Sequence, residues 1–318
     1  MENIQCIFCN ISSGQTVIEE NGYTGKKCPS CGLIYVSPRP TLTETLNLYG
    51  HDQANISAES HILGAFYNRL HARHNLRKIR RFIRRGSMLE IGAGAGYFLD
   101  EARREGFEVS GIELNGIQAE FIRSKLGIPC EESPLDVSLF DGKRFDVIYH
   151  CDVISHFYNP ISEFQKIHDK LGKNGMVVFE TGNLGDVREE YYRFVTKFQY
   201  PDHLFFFGEN NLKELLGRTG FEFIKVYRYS ILQQLVIDNK LRKVKDLMKS
   251  KGTNKKIDER SRIAFPNIFD STVSEFSHYQ LSRNTSNYFT YLMRYKIGFL
   301  MPKKGRPQTV IVFARKKS

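Results

Sequence analysis

The sequence predicts an α/β protein built on a mostly parallel β-sheet, and three observations support that prediction. An apolar strand leads into a glycine-rich turn and an amphipathic helix over residues 89–102. A second apolar strand, 107–114, ends in a carboxylate at Glu113. Strand-like and helix-like segments then alternate through and beyond the buried run Phe145–Cys151, the pattern of a sheet covered by helices on both faces.

The turn at 92–96 is predicted to hold a nucleotide-like ligand. Gly92, Gly94 and Gly96 let the backbone turn sharply and approach a ligand closely, as in the first strand-to-helix turn of open α/β sheets. A dinucleotide fingerprint would need its third glycine at the position of Tyr97. Glu113 lies about 20 residues beyond the turn, where a carboxylate can accept the hydroxyls of an adenosine ribose. The alternative is that the glycines only make a tight turn.

Before the sheet, the chain carries a predicted metal site and a helical segment. Cys6-x-x-Cys9 and Cys28-x-x-Cys31 are separated by 18 residues, the spacing of a four-cysteine zinc site. Four protein ligands leave no open position, so the zinc is expected to be structural, and a disulfide pair is the alternative. We predict a zinc ribbon over 1–40 and a helical linker or lid over 41–85, in which Tyr49 and His51 fold over the ligand or form a plain turn.

The remaining segments follow the same alternation of strands and helices. Asn159 and Pro160 begin a helix that Gly172 is expected to stop. We predict one domain over 86–318, with a mostly helical insertion over about 231–306 before the last strand. The other predicted elements are a helix over 117–126 and strands over 128–130, 176–180, 221–229 and 308–314.

Composition limits the partners and the location. The net charge of +11 and the pI near 9.3 favour a polyanion, an acidic small molecule or an anionic membrane surface, with a basic solvated surface as the alternative. Basic residues concentrate at 69–85 and 240–256. No run approaches the roughly 18 apolar residues of a membrane span, and residues 1–10 lack the order of a signal peptide. We therefore expect a cytoplasmic protein.

The glycine turn, preceded by Glu90, resembles the cofactor loop of class I S-adenosylmethionine-dependent methyltransferases. Phe145-Asp-Val-Ile, the segment through His156, and the turn at 171–176 are similar to that family as well. The resemblance implies a Rossmann-like seven-stranded sheet and S-adenosylmethionine as the cofactor. The residues it assigns to the cofactor are Glu90, Gly92, Ala93, Gly94, Gly96, Tyr97, Phe98, Glu113, Leu114, Asp136, Cys151 and Asp152. Glu131 and Glu132 compete with Asp136 for the adenine edge.

A narrower resemblance concerns the acceptor. The cysteine unit, followed by Ser37-Pro-Arg-Pro40 and this catalytic fold, is similar to bacterial enzymes that methylate sugars. Their Tyr-x-Glu-His segment corresponds here to Tyr200-Pro-Asp202-His203. It implies a sugar acceptor, linked to a nucleotide or a lipid.

The predicted chemistry is proton removal during an in-line methyl transfer. His156 follows the fourth strand and His203 the fifth, so both are expected at the edge of the sheet where ligands bind. A histidine removes protons well near neutral pH, and either one is a candidate base beside Tyr200 and Asp202. The alternative is that these histidines are hydrogen-bonded for structure. The aromatic segment 191–207 is either a wall of the acceptor pocket or core.

Two other functions remain open at this point. Zinc ribbons fused to this catalytic fold also occur in enzymes that methylate ribosomal RNA, and basic helices with aromatics suit RNA. A third hypothesis is a cofactor-binding protein without catalysis. The sequence does not select the oligomeric state, the acceptor or the acceptor atom.

Overall fold

The computed structural model describes residues 1–47, 52–251 and 285–317. Tyr49 and His51 lie outside the described residues. The same holds for the central part of the predicted insertion, 252–284.

The N-terminal unit is a small antiparallel sheet. Strands β1 (Gln15–Glu20), β2 (Tyr23–Lys27) and β3 (Ile34–Val36) pair in that order. Asn21 and Gly22 join β1 to β2 with φ of 53° and 80°. An Asn-Gly pair favours such a turn because both residues tolerate left-handed backbone angles.

Three helices connect this unit to the main sheet: α1 (Leu42–Asn47), α2 (Asp52–Leu63) and α3 (Ala65–Ile79). The helical linker predicted over 41–85 therefore has helices within it. Helix α3 buries Ala72, Leu76 and Ile79, which recur at helical spacing and face the core.

The main sheet has the seven strands that the sequence predicts. In chain order they are β4 (Gly86–Ile91), β5 (Phe107–Ile112), β6 (Cys130–Glu131), β7 (Phe145–Cys151), β8 (Leu171–Gly182), β10 (Phe221–Ser230) and β11 (Gln308–Lys316). Their spatial order is β10-β11-β8-β7-β4-β5-β6.

All the pairs from β6 to β8 are parallel, whereas β11 runs antiparallel to both of its neighbours. From β4 the chain proceeds to β5 and β6 on one side and then crosses to β7 on the other. Ligands of open α/β sheets bind beyond the carboxyl ends of the strands at such a reversal. The glycine turn after β4 and the residues after β7 flank this point.

Alternating strand residues supply the cores on the two faces of the sheet. Leu89 and Ile148 pack in one apolar cluster, while their neighbours Met88, Val147 and Tyr149 pack in the other. A central strand buried on both faces favours apolar residues at successive positions, which explains the run Val147–Tyr149 within β7.

Helices cover both faces of the sheet. They are α4 (Tyr97–Arg104), α5 (Gly116–Phe121), α6 (Pro160–Lys170) and α7 (Glu209–Arg218), and α5 continues as a π-helical turn, Ile122–Leu126. The side chain of Asn159 accepts the backbone N–H of Ser162, and Pro160 occupies the first turn of α6, as predicted. The helix ends at Lys170, two residues before Gly172.

Part of the basic run at 69–85 is paired inside the protein. Arg69 contacts Asp100 and Glu101 of α4 at 2.7 Å each, and Arg73 contacts Glu101 at 2.7 Å. Both carboxylates are buried, so they require these partners. The arginines on this face of α3 hold the two helices together.

The described ends of the insertion are helical. Helix α8 (Leu232–Lys251) leaves β10, and residues 285–291 continue as a π-helix, Leu292–Ile297, that leads back toward β11. Tyr291 and Tyr295 from this returning segment are buried in one of the two sheet cores. Within the described ranges, no helix has both the length and the apolar composition needed to cross a bilayer.

A short strand joins the N-terminal unit to the rest of the chain. Strand β9 (Phe205–Phe206) pairs with β3, so that Phe205 lies opposite Tyr35. Leu33 and Phe205 also share a core cluster with Phe179 of the main sheet. The boundary at residue 40 stays a prediction, but residues 1–40 pack as part of a continuous core.

Candidate functional site

The glycine turn after β4 has the backbone geometry that the sequence indicated. Gly92, Gly94 and Gly96 have φ of 66°, 55° and 70°, where residues with a Cβ atom are strained. A Cβ on Gly92 would lie 2.6 Å from Cγ2 of Val153, but one on Gly94 would meet nothing nearer than 3.9 Å. The turn is thus packed on one side at Gly92 and open at Gly94.

This geometry predicts the effect of alanine at Gly92. Gly92→Ala combines a left-handed backbone with a clash against Val153, so it should destabilise the protein by about 2–4 kcal/mol. Gly217→Ala is the matched control, because Gly217 lies in α7 with nothing within 4 Å of an added Cβ. Urea unfolding of both variants tests this, and equal stabilities would contradict it. Gly217→Ala itself should be neutral or stabilising by about 0.5–1 kcal/mol.

Glu113 follows β5 and lies against the glycine turn. Its Oε2 accepts the backbone N–H of Gly94 at 2.7 Å, and its Oε1 accepts that of Asn115 at 2.9 Å. Burial raises the pKa of Glu113, and the two N–H groups offset part of that rise. The carboxylate is therefore fixed beside the open part of the turn.

Glu90, in β4, is a second buried carboxylate beside this turn. It is 4% exposed, and its Oε2 has no hydrogen-bond partner among the described residues. Burial, and then the charge of Glu113, raise the pKa of Glu90 well above its usual range. A buried acceptor without a donor needs a partner from outside the chain, and two adjacent carboxylates favour a cationic one. The ammonium group and ribose of S-adenosylmethionine fit this pair.

Tyr97 and Phe98, at the start of α4, direct their side chains into packing contacts. The Tyr97 hydroxyl donates to the backbone carbonyl of Ile62 in α2 at 2.6 Å. Phe98 stacks on Tyr149 with ring centroids 3.8 Å apart. Their predicted cofactor contacts remain predictions, and these side-chain positions favour structural roles.

The candidates for the adenine edge lie in different places. Asp136 is exposed, and its Oδ1 accepts the backbone N–H of Ser138 at 2.8 Å, which closes a surface turn. Glu132 is exposed as well, and its carboxylate lies 3.6 Å from Arg123 Nη2 and 2.9 Å from where a Cβ on Gly116 would be. The assignment of the adenine edge therefore stays a prediction.

Cys151 and Asp152 end β7 on the other side of the strand reversal. Asp152 has φ of 54°, a left-handed backbone conformation that is strained for residues other than glycine. Its side chain is exposed to solvent directly after the end of β7. The surrounding protein and the charge of Glu180 raise the pKa of Asp152, while Arg294, His71 and His156 lower it. Cys151 lies beside it, with Sγ 3.8 Å from Asp152 Oδ2.

Glu180, near the end of β8, is the centre of a buried network that sequence reasoning missed. Its oxygens accept from Tyr295 Oη at 2.6 Å and Asn75 Nδ2 at 2.6 Å, and lie 2.7 Å from His71 Nε2. Burial opposes the charge of Glu180, but His71, Tyr295 and Arg294 lower its pKa to about 2. A charged residue ending an apolar strand was the available signal. Its partners lie more than 100 residues away in sequence, so spacing did not indicate them.

His156, Asp202 and His203 lie together, with one side-chain nitrogen or oxygen of each within 4.8 Å of the others. His156 Nδ1 is 2.9 Å from Asp202 Oδ1, and the two imidazole rings are 4.6 Å apart. Burial lowers the pKa of His156, but the hydrogen bond and charge of Asp202 outweigh it and raise that pKa overall. Burial, and then His156, lower the pKa of His203 to about 4. His203 is therefore unprotonated near pH 7.

Tyr200 lies on the side of the ribbon. It is 2% exposed, and a Cβ on Gly25 would collide with its hydroxyl. Tyr200, Phe198 and Phe206 pack with Ile18 and other ribbon residues in a separate apolar cluster. A catalytic role for Tyr200 stays a prediction that this position does not favour, and this part of the aromatic segment forms core.

The four ribbon cysteines converge. The Sγ atoms of Cys6, Cys9, Cys28 and Cys31 lie within 4.8 Å of one another, and those of Cys6 and Cys31 are 3.5 Å apart. Sulfur atoms around one tetrahedral zinc are about 3.8 Å apart, so the group fits that ion. Each Cys-x-x-Cys is followed by a left-handed residue, Asn10 or Gly32, which turns the chain around the site.

Comparison with known proteins identifies a family and one curated relative. A family model described as a methyltransferase domain matches residues 64–226, just over half of the chain. A ubiquinone biosynthesis O-methyltransferase from Ruegeria pomeroyi is 29% identical over 103 residues, or 30% of this chain. The match spans 41% of that relative's length, about two fifths.

Solved structures resemble the chain at low identity. The [4+2]-cyclase SpnF is 13% identical, with a TM-score of 0.46, over 77% of this chain and 80% of its own. Coclaurine N-methyltransferase, bound to N-methylheliamine and S-adenosylhomocysteine, is 12% identical, with a TM-score of 0.45, over 77% and 72% of the two chains.

Proposed function

The chain belongs to the methyltransferase-domain family, and from that premise we propose that it transfers the methyl group of S-adenosylmethionine to a sugar carried on a nucleotide or a lipid. The observation that supports cofactor binding best is the pair Glu90 and Glu113 at the open glycine turn. Among the described residues, no lysine, arginine or histidine forms a hydrogen bond or an ion pair with either carboxylate.

The proposed cofactor site uses both carboxylates and the turn. Glu113 would accept the ribose hydroxyls, Gly94 would allow close approach, and Glu90 would accept the ammonium group. Bound there, S-adenosylmethionine supplies an electrophilic methyl group on a sulfonium. The remaining task of the protein is to orient an acceptor and to take its proton.

The proposed acceptor site lies beyond the carboxyl ends of β7 and β8, where open α/β sheets bind ligands. Asp152 follows β7, and His203 is the proposed base because its unprotonated ring lies beside that of His156. The Asp202 carboxylate orients His156, which lies against the His203 ring. Zinc on the four cysteines would fix the ribbon without taking part in the reaction.

The sugar assignment rests on the resemblance through the cysteine unit and the segment Tyr200-x-Asp202-His203. The RNA hypothesis is weaker, because Arg69 and Arg73 are committed to Asp100 and Glu101. No contact in the described residues favours RNA specifically.

Transfer of radiolabelled methyl groups to a panel of acceptors tests the proposal. We expect labelling of nucleotide-linked or lipid-linked sugars and none of RNA. Labelling of RNA, with affinity that falls steeply as salt rises, would favour the alternative. Failure of the protein to bind S-adenosylhomocysteine would contradict the cofactor assignment.

Histidine-selective NMR titration tests the proposed base. We expect His203 to titrate near pH 4, so it keeps its proton-accepting form at pH values where an ordinary histidine is charged. His156→Gln removes the neighbouring charge and should raise the His203 pKa, although burial keeps it below about 6.5. His203→Gln should slow transfer about 100-fold with cofactor affinity intact.

The control is His168→Gln, a histidine of α6 beside Asp169. It should leave the titration of His203 unchanged. A wild-type His203 pKa near 6.5, or full turnover in His203→Gln, would contradict the role assigned to this residue.

A further inference from the structure

The segment that returns from the helical insertion brings an arginine close to Glu180 and Asp152. Tyr295 of this segment is held by its hydrogen bond to Glu180 at 2.6 Å. Arg294 precedes it and is half-buried, and its Nε is excluded from solvent with no hydrogen-bond partner among the described residues. A buried donor without an acceptor is rare in native proteins.

The surroundings of Arg294 keep it charged without neutralising it. Burial opposes the charge, but Tyr295, Tyr67, Glu180 and Asp152 raise the pKa of Arg294 above its usual value. The Glu180 oxygens are already used by other donors. Among the described residues, no carboxylate lies within 4.0 Å of the Arg294 nitrogens. Among the described residues, the guanidinium therefore stays positively charged while its Nε donor has no acceptor.

We propose that Arg294 binds an anionic group of the acceptor, a carboxylate or a phosphate. The planar guanidinium presents paired N–H donors that match such groups in a bidentate arrangement. The inference rests on the proposed function, and it narrows the acceptor to molecules that carry this charge near the reacting atom.

The position of Arg294 favours the acceptor over the cofactor as the source of the anion. The cofactor carboxylates Glu90 and Glu113 belong to β4 and β5, on one side of β7. Tyr295, beside Arg294, is bonded to Glu180 of β8, on the other side of β7. The methionine carboxylate of the cofactor is the competing source, and the experiment separates the two.

Isothermal titration calorimetry on the full chain tests the proposal with three probes. They are S-adenosylhomocysteine, 5′-methylthioadenosine, which lacks the carboxylate, and inorganic phosphate added to protein saturated with S-adenosylhomocysteine. We expect Arg294→Gln to weaken phosphate binding about 10-fold or more and to leave both nucleosides unaffected. Arg242→Gln, an exposed arginine of the same insertion, should bind all three probes as the wild type does.

Three results would overturn the proposal. In the first, the wild type does not bind phosphate. In the second, Arg294→Gln binds phosphate as tightly as the wild type does. In the third, Arg294→Gln weakens the binding of S-adenosylhomocysteine but not that of 5′-methylthioadenosine, which assigns the guanidinium to the cofactor. If Arg294→Gln loses 5′-methylthioadenosine as well, its fold is altered, and Arg294→Met, which keeps the aliphatic stem, is measured under the same criteria. If the wild type does not bind S-adenosylhomocysteine, that result contradicts the proposed function and not the role of Arg294.

Discussion

Glu113→Ala is expected to weaken S-adenosylhomocysteine binding by about 100-fold, the largest effect of a single substitution in the proposed cofactor site. The change removes the acceptor of the ribose hydroxyls, and it leaves the backbone N–H groups of Gly94 and Asn115 without their partner. Losing hydrogen bonds to a buried charged group costs about 1.5–3 kcal/mol, which corresponds to about 10-fold to 100-fold in affinity. Calorimetry measures this effect directly.

The control for this substitution lies on the same strand. Glu108 is exposed on β5 and pairs with Lys143 at the surface. Glu108→Ala should bind S-adenosylhomocysteine as the wild type does. Adenosine and 2′-deoxyadenosine then separate the two consequences of Glu113→Ala, because loss of the ribose contact should abolish the preference for adenosine. Unchanged affinity in Glu113→Ala would contradict the ribose assignment.

The second large effect is expected from removal of the proposed zinc. Cys28→Ser should lose the ion and destabilise the protein by about 3–5 kcal/mol, or about 10 °C in Tm. The four ribbon cysteines form no disulfide, so the proposed zinc is what would cross-link them. Metal analysis and thermal unfolding measure both consequences.

Ser30 provides the control for the metal site, because it lies in the same knuckle and is exposed. Ser30→Ala should retain the zinc and the Tm. The absence of zinc from the purified wild type, or an unchanged Tm in Cys28→Ser, would contradict the proposed metal site.

The fold was predictable where the signal is local. Apolar periodicity indicated each strand of the main sheet, and Asn159 with Pro160 indicated the start of α6. Burial on both faces favours the apolar residues Val147–Tyr149 of β7, and that strand has the bounds that were predicted for it.

Contacts between distant segments were not predictable in this way. Strand β9 has only two residues, and it exists because β3 offers a free edge. Tyr200 is close in sequence to His203, yet it packs on the ribbon at Gly25. Glu180 meets Tyr295 across the whole insertion. Each case depends on which surfaces meet after folding, and the spacing of residues along one segment carries no information about that.

Under the proposed function, the pairing of β9 with β3 would couple the proposed zinc site to the proposed histidine base. Leu204 is the only residue between His203 and β9, and its N–H donates to the carbonyl of Ser155, next to His156. A ligand that binds only the folded state shifts the folding equilibrium by mass action. Zinc bound at the ribbon would therefore favour the correctly assembled histidine pair, although the ion never meets the acceptor. Enzyme activity would then report the availability of free zinc.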